Sequence, residues 1–397
     1  MVKRTIRLLQ EFSLPLIAGV VVALVWANIF PETYHHFIDD DLFGHFSIHF
    51  LVNDIFMVFF FAIAGIEIVQ SLKPGGDLNP ISTAINPLAA TLGGVVGPII
   101  VFITLNNLFG KPEFAHGWGI PTATDIAIAW LAAKFVFGEL HPAVKFLLLI
   151  AVADDAIGMA IIAVFYPDPL VPVEPLRLML VPLGILVAYL LSRKKIANYW
   201  PYLILGGIPC WLGLYQAHLH PALALIFIVP FFPHPEREEG HLFEADSASD
   251  SAMERFTQDW RLIIDFGLFF FGLANAGVQL SSISGVTWFV FLALLIGKTV
   301  GIFTLATVVG RLGFPLPLGM GKKELFMAGF IAASGLTVAL FVADTAFTDA
   351  GIQGAAKMGA LFSGGIAVTA VLLGKLLGIK RMTAESREEA KEEFVGI

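Results

Sequence analysis

Apolar residues run for about 20 positions at a time along most of this chain, between short polar or turn-rich breaks. That is the length at which a helix crosses a bilayer. Cutting at the breaks predicts twelve spans, at about 12–30, 52–72, 86–109, 118–137, 142–166, 176–192, 197–214, 217–232, 259–280, 286–310, 324–346 and 353–378. The eighth is short. The first follows Lys3, Arg4 and Arg7; it is too long for a signal-peptide core, no A-x-A site follows it, and it reads as a retained helix. The pattern predicts an all-α membrane protein. Two stretches stand outside it: an acid-rich loop at 233–258, separating eight spans from four, and a charged tail at 380–397.

Composition narrows the class further. Of 397 residues 57% are hydrophobic and 14% charged, against about 45–50% and 25% in soluble domains. The bilayer is therefore the main solvent, which excludes a soluble enzyme, a nucleic-acid binder and a disulfide scaffold. The single cysteine, Cys210, lies in an apolar run and makes neither an internal disulfide nor a Cys-based metal site. The net charge of −8 sits largely in the loop and tail, so the partners in view are membrane lipid and small cations. His234 and His241 in the loop lack a ligand spacing, and the segment reads as a solvated linker.

Basic residues set the orientation. With the N-terminus inside, only Lys111, Arg177 and Lys357 fall on outer connections and Lys298 within a span, whereas Arg193-Lys194-Lys195 and Lys322-Lys323 fall inside. This positive-inside bias places both termini in the cytoplasm.

Ionisable residues in mid-span are functional hypotheses by default, because burying them in lipid costs several kcal/mol. They are few: Asp125 in GIPTATDIAIAW, Asp154-Asp155 in LLLIAVADDAIGMA, and Lys298 in ALLIGKTVGIF, with Glu67, Asp54, Lys134, Asp265, His220 and Asp344 nearer span ends. Neighbours on a helix point about 100° apart. One of the paired aspartates therefore lines a hydrated site while the other meets Lys298, the deep basic residue. Gly119, Pro121, Thr122 and Thr124 interrupt the fourth span, and Ala332-Ala333-Ser334-Gly335-Leu336-Thr337 the eleventh. Interruptions at matching places in two halves point to a transporter's midplane site. Spans three to five (about 86–166) and ten to twelve (about 286–378) form such halves, with 12–72 and 176–280 as the remaining helices. Broken helices expose end charges of about ±0.5; Asp125 offsets the positive ends and Lys298 the negative ones. Asp155, Asp125 and Thr124 supply oxygens for a small hard cation such as Na+. Protons compete for the same oxygens, so the site exchanges one for the other and acid suppresses cation binding.

Six stretches, NDIFMVFFFAIAGIE, GWGIPTATDIAIA, LLLIAVADDAIG, GLANAGV, LLIGKTVGI and GLTVALFVADTAF, together resemble the NhaA family of bacterial sodium/proton antiporters, over residues 10 to 378. The resemblance implies a twelve-helix inverted-repeat fold in the inner membrane, with two interrupted helices crossing. It implies electrogenic expulsion of Na+ or Li+ against H+, activated at alkaline pH, with no cofactor. By the same resemblance Asp155 is the cation carboxylate, Asp154 the partner of Lys298, and Thr124-Asp125 the motif of the fourth helix. Glu67 and Glu254 match acids of the cytoplasmic funnel, and His220 a histidine of the eighth helix. The chain departs from the family at Gln70, where the family carries an arginine, and at Trp130, where it carries a smaller aliphatic residue. The segment between the first two helices is short for the outer β-hairpin that joins family dimers.

Other readings of these residues are plainer. Glu67 at an interface can snorkel to water, Asp54 after Asn53 reads as a helix cap, and His220 before Pro221 as interface packing. Asn275 in FFFGLANAGVQL reads as glue between helices, and Asp344 as facing water or Lys357. Two other functions use membrane carboxylates. A sodium-coupled symporter of a small organic anion would share the fold, but three aspartates make the site acidic. An intramembrane aspartyl protease would need Tyr-Asp and Gly-x-Gly-Asp motifs, which do not surround these residues.

Overall fold

A computed structural model describes residues 14–42, 46–73, 81–167, 172–233, 251–379 and 381–382. His234, His241, most of the 233–258 loop and nearly all of the 380–397 tail lie outside the described residues. Among the described residues the chain is all helical, with no strand. In chain order the α-helices are α1 (Leu14–Ile29), α2 (Pro31–Asp39), α3 (Ile48–Leu72), α4 (Ile81–Phe109), α5 (Ile126–Phe137), α6 (Pro142–Phe165), α7 (Leu180–Arg193), α8 (Ile208–Gln216), α9 (Ala252–Asn275), α10 (Gly285–Arg311), α11 (Lys322–Ala332), α12 (Thr337–Ala346) and α13 (Ala350–Leu376).

Five of these, α3, α4, α6, α10 and α13, are long and apolar enough to cross a membrane on their own. The 3-10 stretch Pro112–Thr122 with α5, and α11 with α12, make two more when each bent pair counts as one span, at bends of 55° and 46°. The remaining predicted spans differ for local reasons. His220-Pro221 and Pro230 break the eighth into 3-10 turns, Pro221–Phe227 and Val229–Phe231. The ninth begins at Ala252, capped by Ser251, so residues 252–258 are helix and not loop. Ser47, and not Asp54, caps α3, its hydroxyl accepting from Phe50 N at 3.1 Å. The connection after α1 holds the short helix α2.

Close packing divides the helices into two sets. In one, α4, α5, α6, α10, α11, α12 and α13 pack on one another; in the other, α1, α3, α7, α8 and α9 do, together with the 3-10 turns at 221–231. Contact between the sets is sparser; it runs through α3 with α6 and α12, α9 with α12, and His220 with Phe341 of α12.

The first set is welded where α4 crosses α10. Both carry G-x-x-x-G, Gly93 with Gly97 and Gly297 with Gly301, and small residues let membrane helices approach backbone to backbone. A Cβ on Gly297 would lie 2.6 Å from Pro98 Cα, and one on Gly93, Gly97 or Gly301 would strike a backbone carbonyl of the facing helix. Gly94 faces Ile302 of the same partner helix, whose Cγ1 would sit 3.1 Å from a Cβ there. Gly297→Val should therefore cost about 3 kcal/mol or more, seen as a lower melting temperature in detergent than for a valine at Gly364, where a Cβ meets nothing.

Candidate ion site

The first interruption holds Pro121, which cannot propagate a helix, and the second Gly335, which is a poor helix former. Pro121 ends the 3-10 stretch out of helical geometry, and residues 123–125 run extended, with Ala123 at φ −93°, ψ 159°. The second break covers Ala333 to Leu336, between α11 and α12. The two unwound segments cross in contact. Asp125 N donates to Ser334 O at 2.7 Å, and a Cβ on Gly335 would meet Ala123 O at 2.7 Å. Only glycine fits there.

Four helix ends meet at this crossing, and each is answered by a side chain. Asp125 is buried and serves both positive ends: Oδ1 accepts from Ile128 N at 3.0 Å in α5, Oδ2 from Thr337 N at 3.2 Å at the start of α12. A carboxylate among unsatisfied N–H groups is favourable on both dipole and hydrogen-bond grounds. Lys298 serves one negative end, its Nζ donating to Thr122 O at 2.6 Å. The hydroxyl of Thr124 lies 2.9 Å from Ala332 O at the other.

The same groups fix Asp154. Lys298 Nζ sits 2.7 Å from Asp154 Oδ2, both side chains fully buried, and Thr124 Oγ1 is 2.6 Å from that oxygen. Lys298 reaches this place from the last residue of a π-helical turn, Ala293–Lys298, which re-aims the side chain relative to a regular helix. Asp154 Oδ1 and Asp155 Oδ1 are buried with no hydrogen-bond partner. Three carboxylates against one ammonium leave the centre net negative, and Asp155 is the carboxylate without a hydrogen bond or ion pair among the described residues.

The ligand set Asp155, Asp125 and Thr124 is divided by this geometry. Asp125 spends both oxygens on backbone N–H groups, and the one hydroxyl hydrogen of Thr124 lies between Asp154 and Ala332. Among the described residues no group of three His, Cys, Asp or Glu side chains is arranged to hold a metal ion. Thr337 enters through its backbone N–H, and Gly335 N donates to Ser363 Oγ at 3.1 Å.

The outlying residues fall elsewhere. Glu67 is exposed near the end of α3. Glu254 is half-buried in the first turn of α9, its N–H donating to Ser251 Oγ at 3.2 Å. His220 packs against Phe341 at 4.4 Å between ring centres, with a buried Nδ1 that has no partner, and lines a cavity of about 700 Å3 with Asp54, Tyr166, Arg177, His218 and Asp344. Lys134 lies over the Trp130 ring at 5.0 Å and pairs with Glu139 at 3.5 Å. Lys357 is not on a connection but buried in α13, 2.7 Å from Asp344. Asn275 exchanges amide hydrogen bonds with Asn53, at 2.8 and 3.1 Å, joining α9 to α3. Sequence reading passed over His49, Ser363 and the paired G-x-x-x-G motifs. Only the last had a readable signal.

Known proteins share this chain's sequence at length. The pattern of the Na+/H+ antiporter 1 family matches residues 3–379. A Desulfitobacterium hafniense protein called Na(+)/H(+) antiporter NhaA is 63% identical over 96% of this chain and 98% of its own. One of the same name from Geobacter sulfurreducens is 60% identical over 96% of this chain and 100% of its own. The solved structure of the sodium proton antiporter MjNhaP1 from Methanocaldococcus jannaschii is 16% identical, covers 93% of this chain and 92% of its own, and has a TM-score of 0.48.

Proposed function

This chain belongs to the Na+/H+ antiporter 1 family, and from that premise we propose that it exchanges Na+ or Li+ for H+ at Asp155. The observation that carries the reading is Asp155 Oδ1, a buried carboxylate oxygen with no partner, beside an ion pair and helix ends that already have theirs. Such an oxygen is costly in a membrane interior. A proton or a small hard cation each relieves that cost, and neither binds while the other is present. Asp125 acts by holding the two positive helix ends beside the site, and Thr124 by holding Asp154; Lys298 keeps Asp154 from competing for the ion. Asp125 and Thr124 turn toward the cation only if it displaces these bonds.

The protein sits in a bacterial inner membrane with both termini in the cytoplasm. Arg193, Lys194, Lys195, Lys322 and Lys323 then lie inside, and the acidic α2, with Glu32, Asp39 and Asp40, outside. Glu67 and Glu254 lie toward the inner face, where they attract cations. The helices split into a core, built from the two three-span halves, and a supporting set, and their sparser contact lets one move against the other to turn Asp155 from face to face.

The test is purified protein in sealed vesicles holding a pH dye, under an imposed pH gradient. NaCl or LiCl should dissipate the gradient. In the range where protons hold the site, the NaCl needed for a half-maximal response should rise about tenfold per unit fall in pH, as simple competition requires. No cation-dependent signal between about pH 6.5 and 9, a window spanning the ordinary titration of histidine and the conditions where carboxylates are free, overturns the proposal.

A further inference from the structure

A second, partly buried polar cluster lies on the face opposite the basic loops, about two turns along α12 from the Asp125 end. Asp344, in the last turn of α12, sits 2.7 Å from Lys357 of α13 and 3.0 Å from His49 Nε2 at the start of α3; Asn53 Nδ2 approaches the same Oδ2 at 3.3 Å. Asn53 is in turn locked to Asn275 of α9. Asp344 and Lys357 belong to one helix set, and His49, Asn53 and Asn275 to the other. The cluster is thus a polar bridge across the sparser seam, and it holds the outer end of the broken helix whose inner end meets Asp125.

The bridge turns on His49, whose Nε2 lies 3.0 Å from Asp344 Oδ2, an acceptor, and 3.0 Å from Asn53 Nδ2, a donor. The two hydrogens of Asn53 Nδ2 have Asn275 Oδ1 and Asp344 Oδ2 at 3.1 and 3.3 Å, so Nε2 can serve Asp344 as a donor. Protonated, Nε2–H donates to Asp344 and forms an ion pair. Deprotonated, the ring either keeps a neutral N–H toward Asp344 or turns its lone pair to Asn53 and repels the carboxylate; the charge is lost in both cases. Histidine is the side chain whose ordinary pKa puts that change between pH 5 and 8, and His49 is about one-third exposed to water. The charged and titratable groups around it are Asp344 on α12, Lys357 on α13, Asp39 on α2, and Asp54 and His220 along the cavity. Asp344 keeps Lys357 whatever His49 does, so the link within its own set persists and the link across the seam is the one that weakens.

We propose that His49 and Asp344 are positioning residues of transport, a proton-sensitive latch that closes the outer face at low pH and releases α12 from α3 as pH rises. The proposal rests on the exchange reading for its purpose but not for its test. Spin labels at Glu32→Cys on α2 and Thr348→Cys beyond α12, both exposed, in a Cys210→Ala background, report the separation of the two sets. α2 rides on α9 through Tyr34, whose hydroxyl donates to Leu273 O at 2.7 Å. The distance distribution should gain a longer component between pH 6 and pH 8.5. His49→Gln keeps a donor but cannot titrate, and should show that component already at pH 6. His49→Lys keeps a permanent charge, and should suppress it at pH 8.5. In vesicles the acid limb of exchange in His49→Gln should move down by about one pH unit, or about tenfold more activity at a given acid pH. A distribution in the parent that ignores pH, or one that still responds in His49→Gln, overturns the latch. Because the distance measurement needs no ion flux, a failure of exchange leaves it readable.

Discussion

Asp155→Asn should reduce sodium-driven proton exchange at least about 100-fold, equivalent to about 2.8 kcal/mol, while the protein stays folded. The two halves of this expectation come from one observation. Asp155 Oδ1 makes no hydrogen bond and the residue is 5% exposed, so replacing the carboxylate with an amide of the same shape breaks no contact. It does remove the formal charge that offsets the desolvation of a cation, and an amide oxygen alone is a poor substitute for that charge in a low-dielectric interior. It also removes the group that carries the proton. Thermal stability in detergent should be equal to or above that of the parent, because an uncompensated buried charge has been deleted. Asp125→Asn should behave differently. The amide keeps one acceptor oxygen for two N–H groups, one on α5 and one on α12, so both the crossing and the stability should suffer. The two readouts, vesicle flux and melting temperature, together separate an ion carboxylate from a structural one. Full exchange activity in Asp155→Asn would sink the assignment.

How far the sequence discloses this site follows from the kind of interaction involved. Charge scarcity makes Asp125, Asp154, Asp155 and Lys298 visible, since lipid penalises each of them heavily. Pro121 and Gly335 mark the interruptions for local steric reasons. Which oxygen does what is another matter. Nothing in TATD says that Asp125 caps α12 as well as its own helix, or that Thr124 stands between Asp154 and Ala332, because these bonds cross from the fourth predicted span to the fifth and the eleventh. The π-turns at Leu51–Phe56 and Ala293–Lys298, which aim Asn53 and Lys298, have no composition signature at all. Span-counting also has a physical limit. The α9 helix carries Glu254, Arg255, Asp259 and Arg261 along its first half and Asp265 just beyond, and the segment at 221–231 is broken by prolines, so hydropathy windows misplace the start of the first and the form of the second. Lys357 shows the same limit from the other side. Its position near a span end suggested a connection, whereas Asp344, thirteen residues away in sequence, draws it into the protein.

Lys298→Ala should be the most destabilising single change in the centre, at about 3–5 kcal/mol. It strands Asp154 Oδ2 without its ammonium, with Oδ1 already unpartnered, and leaves Thr122 O at a helix end without a donor. The hydroxyl of Thr124 alone cannot replace a charge-assisted bond. The fully buried stem is lost too. Asp154→Asn/Lys298→Met should recover most of the loss, because a buried pair replaced on both sides by neutral groups of similar size is often no less stable than the pair itself. The measurement is a double-mutant cycle on melting temperature in detergent, with the singles Asp154→Asn and Lys298→Met as its edges. Coupling of at least about 2 kcal/mol between the two positions marks an ion pair that holds the crossing together; strictly additive singles would mean that each side chain acts on its helix end alone, Lys298 on Thr122 and Asp154 through Thr124, and that the 2.7 Å contact contributes nothing of its own.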